Sequence, residues 1–302
     1  MKIVKPKVEY WEQGENKFDH IAKCARICYA SDKTTNNEAM VNALVRNGHK
    51  SMLRHWSVYL KFSDWFGGMT RTIINIYFVN NPFCGFALSK NDRIIYISTN
   101  EQYYREIYED ILRLYDVDIS EHLVPEEEIK NTFDCKNIVR YTMFVQTSID
   151  ISRELNRVSP NNIAEQSTRY VEQGSICESH FYDIIYDEVI FDNINLIANG
   201  EQITPLLRGN NYCFKDIYSY LLACQNSFDN YNTLLNNGFT KEDARKVLPL
   251  ATTTKCVYTY NLEEWKHILN LRLYGITGRP HPDAKIIGQL IKEQFYEIGV
   301  EV

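Results

Sequence analysis

The stretch 138–157 is strongly apolar and carries few helix breakers. Such a segment cannot be left in water, so the chain has to build a layered core around it. The run predicts a buried helix, with room for a strand in front of it. Helical spacing recurs over 18–28, where Ile21, Cys24, Ala25 and Cys28 share one stripe, and over 36–46, 102–115, 214–235, 241–247, 261–273 and 283–298. The last of these is opened by Pro280-His281-Pro282. Gly48-His49-Lys50-Ser51 reads as a helix stop and turn. Strand signals fall at 56–62, 93–99, 182–191 and 252–260. Helices and strands that do not alternate regularly predict an α+β fold, a mixed sheet flanked by helices. No repeat or flexible linker breaks the chain, so 1–302 reads as one domain. The acidic, proline-containing residues 116–134 read as a surface excursion, the clearest part of an insertion around 79–135.

Charge and cysteine usage narrow the function. The 302 residues carry 33 basic and 39 acidic side chains, a net charge of -6. That field does not favour a nucleic-acid polymer, although a local arginine cluster can still hold a small phosphorylated ligand. None of the eight cysteines forms a C-x-x-C pair. Cys24 and Cys28 lie one helical turn apart without a neighbour to complete a zinc set, so no metal is expected. No run approaches the ~18 apolar residues of a membrane span, and the first residues lack the apolar core of a secretion signal. A cytoplasmic protein with reduced, buried thiols is the expectation.

One short segment carries most of the chemistry. If Ala164-Glu165-Gln166-Ser167-Thr168-Arg169-Tyr170 is extended, Glu165, Ser167 and Arg169 fall on one side. A carboxylate, a hydroxyl and a guanidinium in a row could meet both a base edge and a phosphate; a polar edge strand in solvent is the plainer reading. Arg272 shares a helical stripe with Leu262, Trp265 and Leu269, so it faces the core and needs an anionic partner, either an internal carboxylate or a ligand. Arg245 precedes the apolar Val247-Leu248-Pro249-Leu250 and reads first as an exposed helix residue. His20, His122 and His180 read as surface or loop residues.

Taken together, these residues resemble the signature of the flavin-dependent thymidylate synthases. The resemblance lies in Glu165-x-Ser167-x-Arg169-Tyr170 with Arg157 ten residues before the serine. It continues in Gly48-His49-x-Ser51-x-x-x-His55 and in Arg245-x-x-Leu248-Pro249 followed by Thr254, Asn261, Trp265, His267 and Asn270-Leu271-Arg272. Ala25-Arg26 and His281-Pro282 also fall in place, so the likeness runs in order from about residue 20 to residue 290.

The resemblance implies reductive methylation of dUMP to dTMP by a methyltransferase with bound FAD, using NADPH and methylenetetrahydrofolate. It implies that Arg169 and Arg245 hold the dUMP phosphate, that Glu165 and Ser167 contact the nucleotide, and that Arg272 sits against the uracil. Arg272 and Ser167 would be the catalytic pair. His55 and Arg157 would face the flavin, with Asn261 and His267 near it. It also implies a homotetramer with shared sites. The chain departs from the family where an Arg-His-Arg run is expected and Arg157-Val158-Ser159 stands instead. Arg54 and Glu263 replace an acidic and a basic residue. The nucleotide-facing set is therefore the more complete. A divergent member that binds dUMP or a related nucleotide, with altered chemistry such as hydroxymethylation or with none, is the alternative.

Overall fold

The structure is a computed structural model, and it describes residues 1–29, 36–63, 68–89, 93–158, 162–178 and 214–302. Its centre is two long strands, β6 (Arg140–Ser148) and β9 (Thr253–Asn261), paired antiparallel from Arg140 opposite Asn261 to Ser148 opposite Thr253. The flanking strands β2 (Lys7–Trp11) and β7 (Ile163–Glu165) complete a four-stranded sheet in the order β2-β6-β9-β7. The run 138–157, expected as a buried helix with room for a strand in front, does hold a strand followed by a helix, but their shares are corrected. Most of it is β6, and only α6 (Ile149–Leu155) is helical. A strand buried on both faces shows a continuous apolar run, which periodicity cannot tell from a buried helix.

Both faces of this sheet are covered. On one lie α9 (Leu262–Arg272) and α10 (Pro282–Glu297), whose Trp265, Ile268, Ile287 and Phe295 pack with Tyr141, Met143, Tyr258 and Tyr260. On the other, α1 (Lys17–Tyr29) sets Cys24 against Phe144, Ala164 and Val257. Helix α2 (Asn37–Arg46) is capped by the Asn36 side chain and ends before Gly48, whose φ of +81° admits the turn. A 3-10 helix, Lys50–His55, leads from there into β3 (Ser57–Ser63).

A second sheet, ordered β3-β5-β4, is formed with β4 (Gly85–Ser89) and β5 (Ile94–Asn100). Its core joins Leu60, Phe62 and Ile97 to Ile107 and Ile111 of α4 (Glu101–Tyr115). Helix α3 (Gly68–Ile73) runs into a π-helical turn, Ile74–Phe78, against the same core. The expected surface excursion over 116–134 is anchored: Ile119 and, on α5 (Glu126–Asn131), Ile129 are fully buried. Of its acidic run only Glu127 is exposed; Glu126 accepts from the Tyr59 hydroxyl, and Glu128 meets Lys61 at 2.8 Å.

A small parallel pair, β1 (Lys2–Val4) with β8 (Ser175–Cys177), packs under α7 (Phe214–Asn236) through Ile176, Leu221, Cys224 and Phe228. Helix α8 (Lys241–Ala244) and a 3-10 turn, Arg245–Val247, follow. The predicted strand at 182–191 lies outside the described residues, as does His180. No helix among the described residues is long and apolar enough to cross a membrane.

Candidate active site

Strand β7 ends at Glu165, and residues 168–170 turn. The strand alternation expected through Arg169 is corrected accordingly. Gln166 N–H still donates in register to the Lys255 carbonyl of β9, but Ser167 N–H turns away to the Cys28 carbonyl of α1, which takes the chain out of the ladder. The turn still gathers functional groups. Glu165 Oε1 accepts from Ser152 Oγ at 2.8 Å and from Thr254 Oγ1 at 3.2 Å, and Oε2 from Asn156 Nδ2 at 3.3 Å. Ser167 Oγ accepts from the Arg169 N–H at 3.2 Å.

Two guanidinium groups flank this turn. Arg245 Nη1 donates to Thr168 Oγ1 at 2.9 Å, from a half-buried position and not the open helix face the sequence suggests. Arg169 is exposed and meets Glu242 at 3.0 Å, a hydrogen bond that holds its pKa above the usual arginine value. Glu165, Ser167, Arg169 and Arg245 are thus brought together.

Arg272 is not part of that group in one chain. Its Nη1 meets Glu154 Oε2 at 3.0 Å and its Nη2 donates to the Glu154 carbonyl at 2.6 Å, so the partner is an internal carboxylate. Its side chain is 17 % exposed, and its Nε has no partner. Ser152 and Asn156, which hold Glu165, lie on one face of α6; Glu154, two residues from Ser152, lies on the opposite one. Helix α6 therefore separates Arg272 from Glu165.

The four residues implied for the flavin are scattered as well. His55 is 0 % exposed, with Nδ1 2.9 Å from Thr259 Oγ1 and Nε2 without a partner. Burial, then nearby His20, Arg140 and Arg54, pushes its pKa down to about 3. Asn261 is the N-cap of α9: its Oδ1 accepts from Glu264 N–H, and Glu264 answers at the Asn261 N–H. Arg157 stands exposed beside Glu154 at 3.1 Å, and His267 is exposed on α9. Val158, at the family's histidine position, packs against the main core. His55 Nε2 is an enclosed nitrogen without a partner among the described residues, while Arg157 and His267 are exposed. One chain does not close them round a common cavity.

Two open clefts, of about 940 and 650 Å³, lie elsewhere. Lys130, Phe133 and Lys266 line the first, and Trp56, Glu101 and Tyr104 the second. Neither is lined by the residues above. Among the described residues no group of three or more His, Cys, Asp or Glu is placed to hold a metal ion. The described cysteines are free thiols. Burial pushes Cys84 and Cys135 up to about 11 and Cys177 up to about 12, which leaves almost no thiolate for nucleophilic attack.

Sequence reasoning missed the polar interior beside His55. His20 is 3 % exposed and not a surface residue. Arg140 is buried and donates to the carbonyls of Arg54 and Thr259 at 3.2 and 3.1 Å, with no ion pair among the described residues. Thr142 and Thr259 face each other across β6 and β9. Their only signal in the sequence is a threonine at corresponding places in two strands.

The model of the thymidylate synthase complementing protein family matches residues 94–298 of the chain. The chain belongs to this family, that of the flavin-dependent thymidylate synthases. It is similar to the flavin-dependent thymidylate synthase of Saccharolobus solfataricus, 45 % identical over 51 residues, which are 17 % of this chain and 20 % of that one. It is also similar to the probable flavin-dependent thymidylate synthase of Paramecium bursaria Chlorella virus 1, 39 % identical over 74 residues, 24 % of this chain and 34 % of that one. The matched segments thus span about a third or less of these relatives. Among solved structures, the UMP/dUMP methylase PolB of Streptomyces cacaoi bound with 5-Br dUMP aligns with a TM-score of 0.44 at 15 % identity, over 98 % of this chain and 93 % of that one.

Proposed function

We propose that the protein binds dUMP and methylates it at C5 to give dTMP. Methylenetetrahydrofolate is the carbon donor, and NADPH the source of reducing equivalents. The observation that carries this reading is the pair Arg169 and Arg245 beside one turn, with Thr168 and Ser167 between them. Two guanidinium forks on a hydroxyl-bearing turn suit a phosphomonoester. The charge on Arg169 is engaged by Glu242 in an exposed pair, which costs little to open when a phosphate arrives.

Glu165 is held by three donors, so its carboxylate is fixed before the substrate arrives and can orient the nucleotide. Ser167 adds a hydroxyl at the turn. Arg272 is the group assigned to the uracil ring, where its positive charge favours negative charge developing on the base. FAD, when bound, supplies the hydride; His55, Arg157, Asn261 and His267 are the residues assigned to hold it. Since α6 separates Arg272 from Glu165, the site takes its two halves from different copies, in keeping with a homotetramer. A second reading, nucleotide binding with altered one-carbon chemistry, is favoured by one observation: a partly buried Val158 packs against the core where the family has a histidine.

The test of substrate binding is Arg169→Ala. It is expected to fold normally and to weaken dUMP binding at least tenfold by calorimetry; unchanged affinity would refute the phosphate role. The absorbance spectrum with added FAD and dUMP separates the two readings. Flavin bands perturbed by dUMP favour the first, and no bound flavin favours the second.

A further inference from the structure

The turn that carries Thr168 and Arg169 is clasped at three points by one short segment, α8 and the 3-10 turn after it. Lys241 Nζ donates to the Tyr170 carbonyl at 3.3 Å, Arg169 Nη2 donates to Glu242 Oε2 at 3.0 Å, and Arg245 Nη1 donates to Thr168 Oγ1 at 2.9 Å. Donor and acceptor are fixed in each, because ammonium and guanidinium groups only donate. Glu242 and Arg245 stand three residues apart, so they share one side of the segment, and they meet two consecutive residues of the turn.

Arg169 and Glu242 are both exposed, so a ligand reaches either of them without opening the core. Glu172, just beyond the turn, meets Lys241 at 3.8 Å. A carboxylate oxygen and a phosphate oxygen make the same charge-assisted bond to a guanidinium N–H. The turn therefore holds an anion of its own on Arg169, the group assigned to the phosphate.

We infer that Glu242 sets the affinity of the site: its carboxylate stands in for the ligand's phosphate at Arg169 and competes with it. The inference rests on the proposed function for the assignment of Arg169 to the phosphate. A nucleoside monophosphate has to displace the carboxylate before it gains the guanidinium, so it binds more weakly than Arg169 and Arg245 alone would allow. Substrate and product carry the same phosphate and are weakened alike. Uniform weakening of that kind speeds product release and leaves the chemical step untouched.

Calorimetric titration of Glu242→Gln, which keeps the shape and removes the charge, tests this. Its affinity for dUMP and for dTMP is expected to rise about two- to fivefold, the worth of an exposed pair. A merely structural role for Glu242 would lower affinity instead. Glu242→Ala, which removes the carboxylate altogether, is expected to show the same sign. In an Arg169→Ala background the gain is expected to vanish, because nothing is left to compete for. Glu172→Gln removes an equal charge beside the same turn and is expected to raise affinity clearly less. Unchanged or weaker dUMP binding by both Glu242 variants overturns the inference. So does an equal gain from Glu172→Gln, or a gain that persists without Arg169. Absence of dUMP binding in the wild type and the Glu242 variants alike would refute the proposed function, and this inference with it; wild-type binding without a gain refutes the inference alone.

Discussion

Glu165 shows how much one side chain can hold. Its carboxylate ties α6, the C-cap Asn156 and β9 to the end of β7. Removing it strands the buried Ser152 and Thr254 and the half-buried Asn156, each loss being worth about 1 kcal/mol and more where desolvation persists. Glu165→Ala is expected to lose about 2–4 kcal/mol in urea unfolding, and Glu165→Gln, which keeps one oxygen, clearly less. The buried histidines carry a pH signature. Burial pushes His20 down to about 4 and His55 to about 3, from an ordinary value of 6.5. Below pH 6.5 the unfolded chain binds more protons than the folded one, so stability falls as pH falls. The contribution is complete above pH 6.5 and is lost on the way down through about 4 and 3. His20→Gln should flatten that acid limb of the urea midpoint against pH; an unaltered limb would show that His20 is not the group responsible.

At the level of elements, the contact between β8 and α7 has the opposite pH sign. Glu178, just after β8, is 5 % exposed and accepts a hydrogen bond from Tyr220 of α7. Burial pushes its pKa up to about 7; the Tyr220 hydrogen bond opposes the shift, and Asp283 and Asp150 add to it. Between the ordinary value of 4.5 and about 7 the folded chain holds a proton that the unfolded chain has released. Its stabilising effect is whole below about pH 4.5 and lost as pH rises through about 7. Glu178→Gln should therefore match the wild type near pH 4.5 and exceed it by about 3 kcal/mol above pH 7. Equal stability at both ends would mean that the carboxylate ionises freely. The packing of α10 on α9 is equally specific. A Cβ at Gly288 would lie 3.1 Å from Leu273 Cβ and 3.3 Å from its nitrogen. Gly288→Ala should lower the melting temperature despite alanine's better helix propensity, because backbone on the far side cannot give way.

For the whole molecule, the decisive geometry is that α6 stands between Glu165 and Arg272. If the site is shared between copies, two inactive variants can repair each other. Glu165→Ala and Arg272→Ala, mixed one to one and allowed to exchange, should regain roughly a quarter of wild-type dTMP formation, the share of sites built from two intact halves. No recovery above either parent would place both residues in one copy's site and end the shared-site reading.

Legibility in the sequence followed the same physics. Amphipathic helices were readable because half of each helix meets water: α1, α2, α4, α9 and α10 fall within a residue or two of expectation. Strands β3, β5 and β9 were equally plain from their β-branched and aromatic residues. Strand β6 was not, since burial on both faces erased its alternation. At the candidate site, the identities of Glu165, Ser167, Arg169 and Arg245 could be read, but their grouping on a turn could not. That turn depends on the hydrogen bond from Ser167 to the Cys28 carbonyl, which is remote in sequence. His20, Thr142, Thr259 and Arg140 carry no local signal at all.

The sequence by itself determined the mixed helix-and-strand class, the family and the candidate site residues, because these depend on composition, spacing and residue type. Only the tertiary structure decided which groups meet. It set Arg272 against Glu154 across α6 from Glu165, enclosed His55, and joined it to His20 through two threonines. Those outcomes turn on distances between residues up to 204 positions apart, which no local pattern encodes.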